Sequence, residues 1–369
     1  MIQHFYVHNF RCLENFKLPM AGRSSSLLIG KNGSGKSTVG KALEVLQNIA
    51  RGTNRVGQLA SPKDFSRGRS DVPLRFEIEV VLSGAVFQYN LALELPEGFR
   101  ELRVAEEKLS KDGNDIFTRD RAQVMLARTA TDREAKFLVD WHLVALPVIQ
   151  EQSESDPLRV FKDWLARMLI LAPLPSHMGG DSEGSTLMPN RACTNFGEWF
   201  TGLLAHSPAA YTKVDRFLKE LMPDLKDIKN PINGKDSRSL SVQFQHDHTA
   251  VSLPFNELSD GEKCFFLCAL VLAANKSAGP VFCFWDEPDS HLSLSEVGHF
   301  VMDLRRSFQA GGQLLVTSHN PEAIRQFSEE NTLFLYRHSH LEPTLVRPVS
   351  EVPIHGNLVD ALIRNDVEP

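Results

Sequence analysis

The sequence predicts an α/β fold, and three observations carry that prediction. A buried-strand pattern at residues 26–29 runs through a glycine-rich loop into a helical pattern, two further buried-strand patterns near the other end flank a helical one, and an alternating hairpin lies between. A chain of 369 residues has room for two or three lobes at about 150 residues each. Its formal net charge of −6 argues against a uniformly basic nucleic-acid coat, so a polyanion would have to meet a local patch. With 42% hydrophobic and 23% charged residues the composition is that of a folded protein, not a disordered one.

Taken in order, Ile2, Phe5 and Val7 alternate as a strand, Phe16 and Leu18 pair with it, and residues 26–29 form a buried third strand running into Gly30. Val39, Leu43, Leu46 and Ile49 then recur at helical spacing over 36–49. Residues 74–95 alternate on both sides of Ser83-Gly84, which predicts an antiparallel hairpin in a side sheet. The pattern over 103–172 reads as helical and charged, and 173–195, rich in Pro, Gly and Ser, reads as a loop or mobile lid. A helical block is expected over 196–225, strands at 240–244 and 251–255, and an apolar helix over 263–274. Buried strands at 280–285 and 313–317 flank a helix over 295–308, followed by a strand at 332–336 and a short helix at 357–364. The chain thus divides into 1–100, a mainly helical insertion at 101–239, and 240–369. No internal repeat and no sustained heptad pattern is present.

Five dispersed cysteines (Cys12, Cys193, Cys264, Cys268, Cys283), with no Cys-x-x-Cys pair, suit a reducing compartment and exclude a zinc ribbon, so a cytoplasmic location is expected. Cys264 and Cys268 stand one helical turn apart in an apolar stretch and read as buried packing residues. The longest apolar run, 264–274, is about half the roughly 20 residues a membrane span needs, and the opening lacks the layout of a signal peptide. No membrane crossing is expected.

Gly30-Lys31-Asn32-Gly33-Ser34-Gly35-Lys36-Ser37 satisfies the eight-residue phosphate-loop pattern between a strand and a helix. Glycines let backbone N–H groups turn inward around phosphates, and the helix start adds positive potential. Gly30, Asn32, Gly33, Ser34, Gly35, Lys36, Ser37 and Thr38 are the nucleotide-binding candidates, with Lys36 on the β- and γ-phosphates and Ser37 on Mg²⁺. A chance glycine-rich turn is the competing reading, and the flanking strand and helix argue against it. Asp286-Glu287 ends a second buried strand. Asp286 suits a Mg²⁺ ligand and Glu287 suits the polarisation of an attacking water. Solvated acids at a strand end are the bland alternative, but the open end of a parallel sheet is where ligands sit.

Leu258-Ser259-Asp260-Gly261-Glu262-Lys263 precedes that strand and Thr317-Ser318-His319-Asn320 follows it, so four motifs stand in the order of ABC ATPases. The chain resembles their SMC/RecF-like branch through Asn9-Phe10-Arg11 and through Asp286-Glu287-Pro288 followed by His291-Leu292. It is similar especially to OLD-like ATPases associated with phage defence. The likeness covers roughly 1–100 and 240–340. It implies an ABC-ATPase head with a mixed sheet, a P-loop core, an antiparallel side sheet and a helical insertion lobe. It further implies ATP and Mg²⁺ as ligands and a homodimer in which Ser259, Gly261 and Glu262 contact the γ-phosphate held by the other protomer. Lys36, Glu287 and His319 would be catalytic, His319 as the switch histidine. Arg11 would approach the nucleotide, and Gln150, or else Gln152, would serve as the glutamine between strand and helical lobe. A Ser-x-Gly turn opening an apolar helix is in any case an anion site, although a helix cap explains Ser259 locally as well. The sequence departs from the family at Ser293, where many ABC enzymes place aspartate, and in a signature reading LSDGE.

Residues 51–69 hold Arg51, Arg55, Lys63, Arg67 and Arg69 against one acid, Asp64, and are the candidate DNA-backbone contact, with a solvated loop as the alternative. His246-Asp247-His248 has no third ligand in view and is discounted as a metal site. The expected function is a dimerising Mg-ATPase that senses DNA or a phage trigger and gates a separate effector, such as a nuclease or toxin, since about 50 residues follow His319. The alternatives are a RecF/SMC-like DNA-repair ATPase, a transporter nucleotide-binding subunit, and a weakly hydrolysing scaffold. The roughly 220 residues between Thr38 and Leu258 argue against the transporter.

Overall fold

The computed structural model describes residues 1–127, 135–277, 279–353 and 357–364. Its strands in chain order are β1 (Ile2–His8), β2 (Phe16–Leu18), β3 (Ser25–Ile29), β4 (Leu74–Leu82), β5 (Ala85–Glu94), β6 (Arg103–Lys111), β7 (Asn114–Asp120), β8 (Gln123–Leu126), β9 (Ala135–Leu138), β10 (Leu169–Leu171), β11 (Asp181–Ser182), β12 (Leu225–Lys229), β13 (Ile232–Asn233), β14 (Ser237–Ser239), β15 (Ser241–His246), β16 (Thr249–Pro254), β17 (Phe282–Trp285), β18 (Gln313–Thr317), β19 (Thr332–Tyr336) and β20 (Leu345–Pro348). The α-helices are α1 (Lys36–Ala50), α2 (Val56–Leu59), α3 (Pro157–Ala166), α4 (Phe196–His206), α5 (Ala210–Leu221), α6 (Asp260–Ser277), α7 (Leu294–Gln309), α8 (Pro321–Arg325) and α9 (Leu358–Arg364). The chain folds as two units.

The first unit comprises Met1–Arg23, Leu28–Met168 and Glu329–Pro369. Its antiparallel sheet has the order β2-β1-β4-β5-β6-β7-β8-β9. The expected hairpin is β4–β5, with Leu82 opposite Ala85 and both turn residues, Ser83 and Gly84, at positive φ (49° and 84°). That turn twists in the sense of the strands it joins. Alternate residues Leu74, Phe76, Ile78 and Val80 are buried, and α3 packs Phe161 against Phe87 and Tyr89 of β5.

The helical expectation for 103–172 fails over most of its length. Residues 103–126 and 135–138 are strands, residues 128–134 lie outside the described set, and only α3 is an α-helix there. Bulges between Ala92 and Leu93 and between Leu109 and Ser110 interrupt the two-residue alternation, so a charged strand loses its sequence signature. The side chains of Glu107 and Arg119 are fully buried there, 3.5 Å apart. Glu107 accepts the Ala145 and Leu146 N–H groups (2.7 and 2.8 Å) and the Tyr89 hydroxyl (3.0 Å), and Arg119 donates to the Asp140 and Leu143 carbonyls. Desolvation raises the Glu107 pKa even against these bonds and its cation. The buried pair holds the 140–146 segment on the sheet.

The second unit comprises Ser24–Leu27 and Leu169–Ser328. β10, β17 and β18 are parallel neighbours with Leu171 opposite Trp285 and Trp285 opposite Val316, so their C-terminal ends are aligned. All residues of these strands are buried, as the apolar runs required. α6 is buried over most of its length, including Cys264 and Cys268, and α7 turns Val297, Phe300, Leu304 and Phe308 inward, where Phe300 meets Trp285 edge-on at 5.8 Å. The 196–225 block is two helices, because Ser207-Pro208 interrupts it. Small sheets β12-β15-β16 and β11-β14-β13 complete the unit.

Segment 173–195 is a loop, as its composition suggested, with a short turn at Pro175–His177 and the two-residue β11. Ala172 and Leu174 donate to the Arg191 and Ala192 carbonyls (2.8 and 3.0 Å), extending β10, and the Asn190 side chain bonds Thr194 twice. Cys193 is fully buried at φ 58°. Among the described residues, no helix is long and apolar enough to cross a membrane.

Candidate functional site

In the first unit β3 delivers the chain to the phosphate loop, and α1 follows it. Gly33 and Gly35 have φ of 80° and 106°, a region that L side chains rarely adopt. A Cβ on Gly35 would lie 2.6 Å from Thr344 Oγ1 and 3.1 Å from Cys12 Sγ, and one on Gly30 would collide with the Leu335 backbone. Gly35 caps α1 without a side-chain hydrogen bond, which leaves the helix start available to an anion. Lys36 Nζ donates back to the Gly30 and Lys31 carbonyls (2.7 and 3.3 Å). Ser34 Oγ is buried without a hydrogen-bond partner. The glycine cradle, the open helix start and this unmatched hydroxyl all fit a phosphate. Ser37, exposed at the head of α1, is the hydroxyl type that ligates Mg²⁺.

The segment between β19 and β20 braces the loop, a feature sequence reasoning missed. Thr344 Oγ1 donates to the Ser34 carbonyl (2.9 Å) and Arg337 Nη1 to the Gly33 carbonyl (3.3 Å). Nothing local in Arg337-His338-Ser339-His340 announces that contact.

In the second unit the site residues gather at the aligned C-terminal ends of three neighbouring strands, where a parallel sheet exposes ligand-binding groups. β17 is followed by Asp286 and Glu287, β18 ends in Thr317 with Ser318 and His319 after it, and Arg191 lies on the segment whose carbonyl accepts from Ala172 just past β10. Thr317 Oγ1 donates to Asp286 Oδ1 (2.7 Å) and accepts the Glu287 N–H (2.9 Å), so one buried hydroxyl orients both acids. Glu287 has φ 50°, a conformation that costs a non-glycine residue about 1–3 kcal/mol and persists where surroundings impose it. Its Oε1 lies 3.6 Å from His319 Nε2, with both side chains nearly half exposed, and Ser290 donates to Oε2 at 3.1 Å. Asp289 is 5% exposed. It accepts from Ser318 at 2.8 Å, and burial, then the nearby Glu287 charge, push its carboxyl above the usual range. Thr317, Asp289 and Arg191 were not singled out from sequence. The adjacency of Thr317 to His319 was a usable signal, whereas Arg191 had none.

Ser259 caps α6 in a reciprocal box: Ser259 N–H and Oγ donate to Glu262 Oε2 (2.8 and 2.7 Å), and the Glu262 N–H donates to Ser259 Oγ (3.3 Å). Glu262 therefore already supplies an anion at that helix start. A Cβ on Gly261 would lie 3.0 Å from the His291 carbonyl, so the LSDGE turn packs against the segment that follows Glu287.

Other candidates are engaged elsewhere. Arg11 pairs with Asp64 (2.8 Å), while its neighbour Cys12 abuts the loop glycine. Gln150 and Gln152 are exposed and line a cleft of about 600 Å³ with Lys111 and Asp115. In the 51–69 stretch Arg51 donates to the Ala166 and Met168 carbonyls, Arg67 and Arg69 pair with Glu14, and Arg55 faces Glu101. Burial lowers the Arg51 pKa to about 10. Arg55, Lys63, Arg67 and Arg69 are all exposed.

Residues 1–118 match the family model "AAA ATPase domain", and residues 154–325 match "AAA domain, putative AbiEii toxin, Type IV TA system". No curated protein matches the chain. Among solved structures it is similar to an SMC head bound to the C-terminal winged-helix domain of ScpA, with 15% identity, TM-score 0.55, and coverage of 95% of this chain and 99% of that one. An SMC head domain from Thermotoga maritima (13%, TM-score 0.45, 94% and 98% covered) and one with an extended coiled coil, bound to the C-terminal domain of ScpA derived from Pyrococcus furiosus (13%, TM-score 0.48, 95% and 97% covered), also match. The fold argument rests on the first of these. Residues 1–118 and 154–325 thus each match an ATPase-domain model, and the chain has the fold of an SMC head.

Proposed function

We propose that this chain binds Mg-ATP through its phosphate loop, hydrolyses it with Glu287, and works as a nucleotide-dependent homodimer that gates a separate effector in anti-phage defence. The observation that supports it most is the strand-end cluster: a catalytic-type acid held in a left-handed backbone, hydrogen-bonded through its amide to Thr317 and 3.6 Å from a histidine. Lys36 binds the triphosphate once its Nζ leaves the loop carbonyls, and Ser34 Oγ gains the partner it lacks. Glu287 orients the attacking water and takes up its proton, and His319 holds that carboxylate in place. Bound Mg²⁺ neutralises phosphate charge, and the Ser37 hydroxyl and the Asp286 carboxylate are the ligand types for it. The Ser259-Gly261 turn meets the γ-phosphate of a second copy, so loss of that phosphate loosens the dimer. The similarity of residues 154–325 to the AAA domain of putative AbiEii toxins of type IV toxin–antitoxin systems favours a defence role over DNA repair or transport.

Glu287→Gln tests the reading. Turnover is expected to fall by about 10²–10⁴-fold, the range for loss of a general base, while ATP drives a stable dimer visible by light scattering. Undiminished turnover removes Glu287 from its role, and a monomer at saturating ATP removes the dimer. Identifying the protein and nucleic acid that co-purify with the trapped form tests the effector: membrane proteins would favour a transporter, and the chain alone a self-contained enzyme.

A further inference from the structure

The structure places a cation on the strand-end carboxylate that the proposed activity does not use. Arg191 Nη2 lies 3.8 Å from Asp286 Oδ2, with side chains 19% and 13% exposed. The two oxygens of Asp286 thus have different neighbours, since Oδ1 accepts from Thr317 and Oδ2 faces a guanidinium. Arg191 is not a stray surface side chain. Its carbonyl accepts from Ala172, its neighbour Ala192 accepts from Leu174, and buried Cys193 locks the turn in a left-handed conformation. Asp286 is itself anchored by its N–H to the Leu171 carbonyl, at the end of the strand whose continuation bonds the Arg191 carbonyl.

We propose that Arg191 is a resident counter-ion of Asp286, which neutralises the carboxylate until a divalent cation arrives and is displaced as the cation loads. Asp286, Glu287 and Asp289 crowd three carboxyl groups into four residues, and an unneutralised, largely buried carboxylate among them is unfavourable. Arginine suits the task because a guanidinium is a weakly hydrated cation suited to buried ion pairs. At 3.8 Å the pair is looser than a direct hydrogen-bonded ion pair. Metal affinity is then set by the fraction of molecules in which Arg191 has released Asp286. This inference rests on the Mg-ATP reading, and the cation it concerns binds without turnover.

The test is Mn²⁺ binding to the chain, read from the free-ion electron paramagnetic resonance signal, with a non-hydrolysable ATP analogue held below the protein concentration so that no free analogue chelates the ion. If Arg191 occupies Asp286 in about nine molecules in ten, Arg191→Ala tightens Mn²⁺ binding by about tenfold, and Arg191→Lys, which keeps the charge without the fork, falls between. Binding of the analogue without metal stays at the wild-type level. Unchanged or weaker Mn²⁺ affinity in Arg191→Ala, with wild-type analogue binding, overturns the counter-ion role alone. Failure of the wild-type chain to bind the analogue and Mn²⁺ overturns the ATP reading and this inference with it. Should Arg191→Ala fold poorly by circular dichroism, Arg191→Gln decides, with the same tightening expected.

Discussion

Thr317→Val is the sharpest probe of how the acids are held. Thr317 is fully buried, and valine has its shape, so the change removes a hydroxyl without opening a cavity. Two bonds disappear: a charge-assisted one to Asp286 Oδ1 at 2.7 Å and one from the Glu287 N–H at 2.9 Å. The first contributes about 1.5–3 kcal/mol, and an orphaned buried N–H costs about 1–3 kcal/mol. The two share one atom and do not add, so a stability loss of about 2–4 kcal/mol is expected. If about 2 kcal/mol of that ordering is needed to keep Glu287 aimed, turnover falls about 30-fold. Nucleotide affinity stays near wild type, because the phosphate loop and Lys36 owe nothing to Thr317. The assays are phosphate release, binding of a fluorescent ATP analogue and thermal unfolding. Thr317→Ser keeps the hydroxyl and is expected to retain most activity. Wild-type turnover in the valine variant, or equal damage from valine and serine, refutes the orienting role.

Two further outcomes follow from the same geometry. Gly35→Ala puts a Cβ 2.6 Å from Thr344 Oγ1 at φ 106°, so stability falls by about 1–3 kcal/mol and affinity for the ATP analogue by at least about tenfold. Gly57→Ala, where nothing lies within 4 Å, serves as the control that leaves binding unchanged. Asp289 supplies a pH dependence. Its folded-state pKa lies above the unfolded value, so the folded chain holds a proton that the unfolded chain gives up, and stability falls as pH rises from the unfolded pKa through the folded one. Asp289→Asn keeps an acceptor for Ser318 and does not titrate. Its melting temperature is expected to gain on that of the wild type as pH rises through this window, and a constant difference would exclude the carboxyl as the source.

Much of the framework of the candidate site was legible in the residues. The phosphate loop, the acidic pair after FCFW and the histidine after QLLVT each combine a local motif with a buried-strand run, and a buried parallel strand needs no partner to be recognised from its apolar residues. Capping was legible too, since Ser259 and Glu262 stand at the spacing of a reciprocal box. The charged side sheet was not, because its bulges break the alternation and its most informative pair, Glu107 and Arg119, is polar and fully buried. The arginines of 51–69 read as a basic patch, and only the structure shows the carbonyl and carboxylate partners that Arg51, Arg55, Arg67 and Arg69 have.

The sequence by itself determined which elements form around the loop, the acids and the histidine, because glycine conformation, strand burial and helix capping are properties of a few neighbouring residues. Only the tertiary structure decided that Thr317 orients Asp286 and Glu287, that Thr344 and Arg337 brace the loop, and that Arg191 faces a carboxylate far along the chain. Those contacts depend on strand order and register, which arise from packing the whole sheet and leave no mark in local composition.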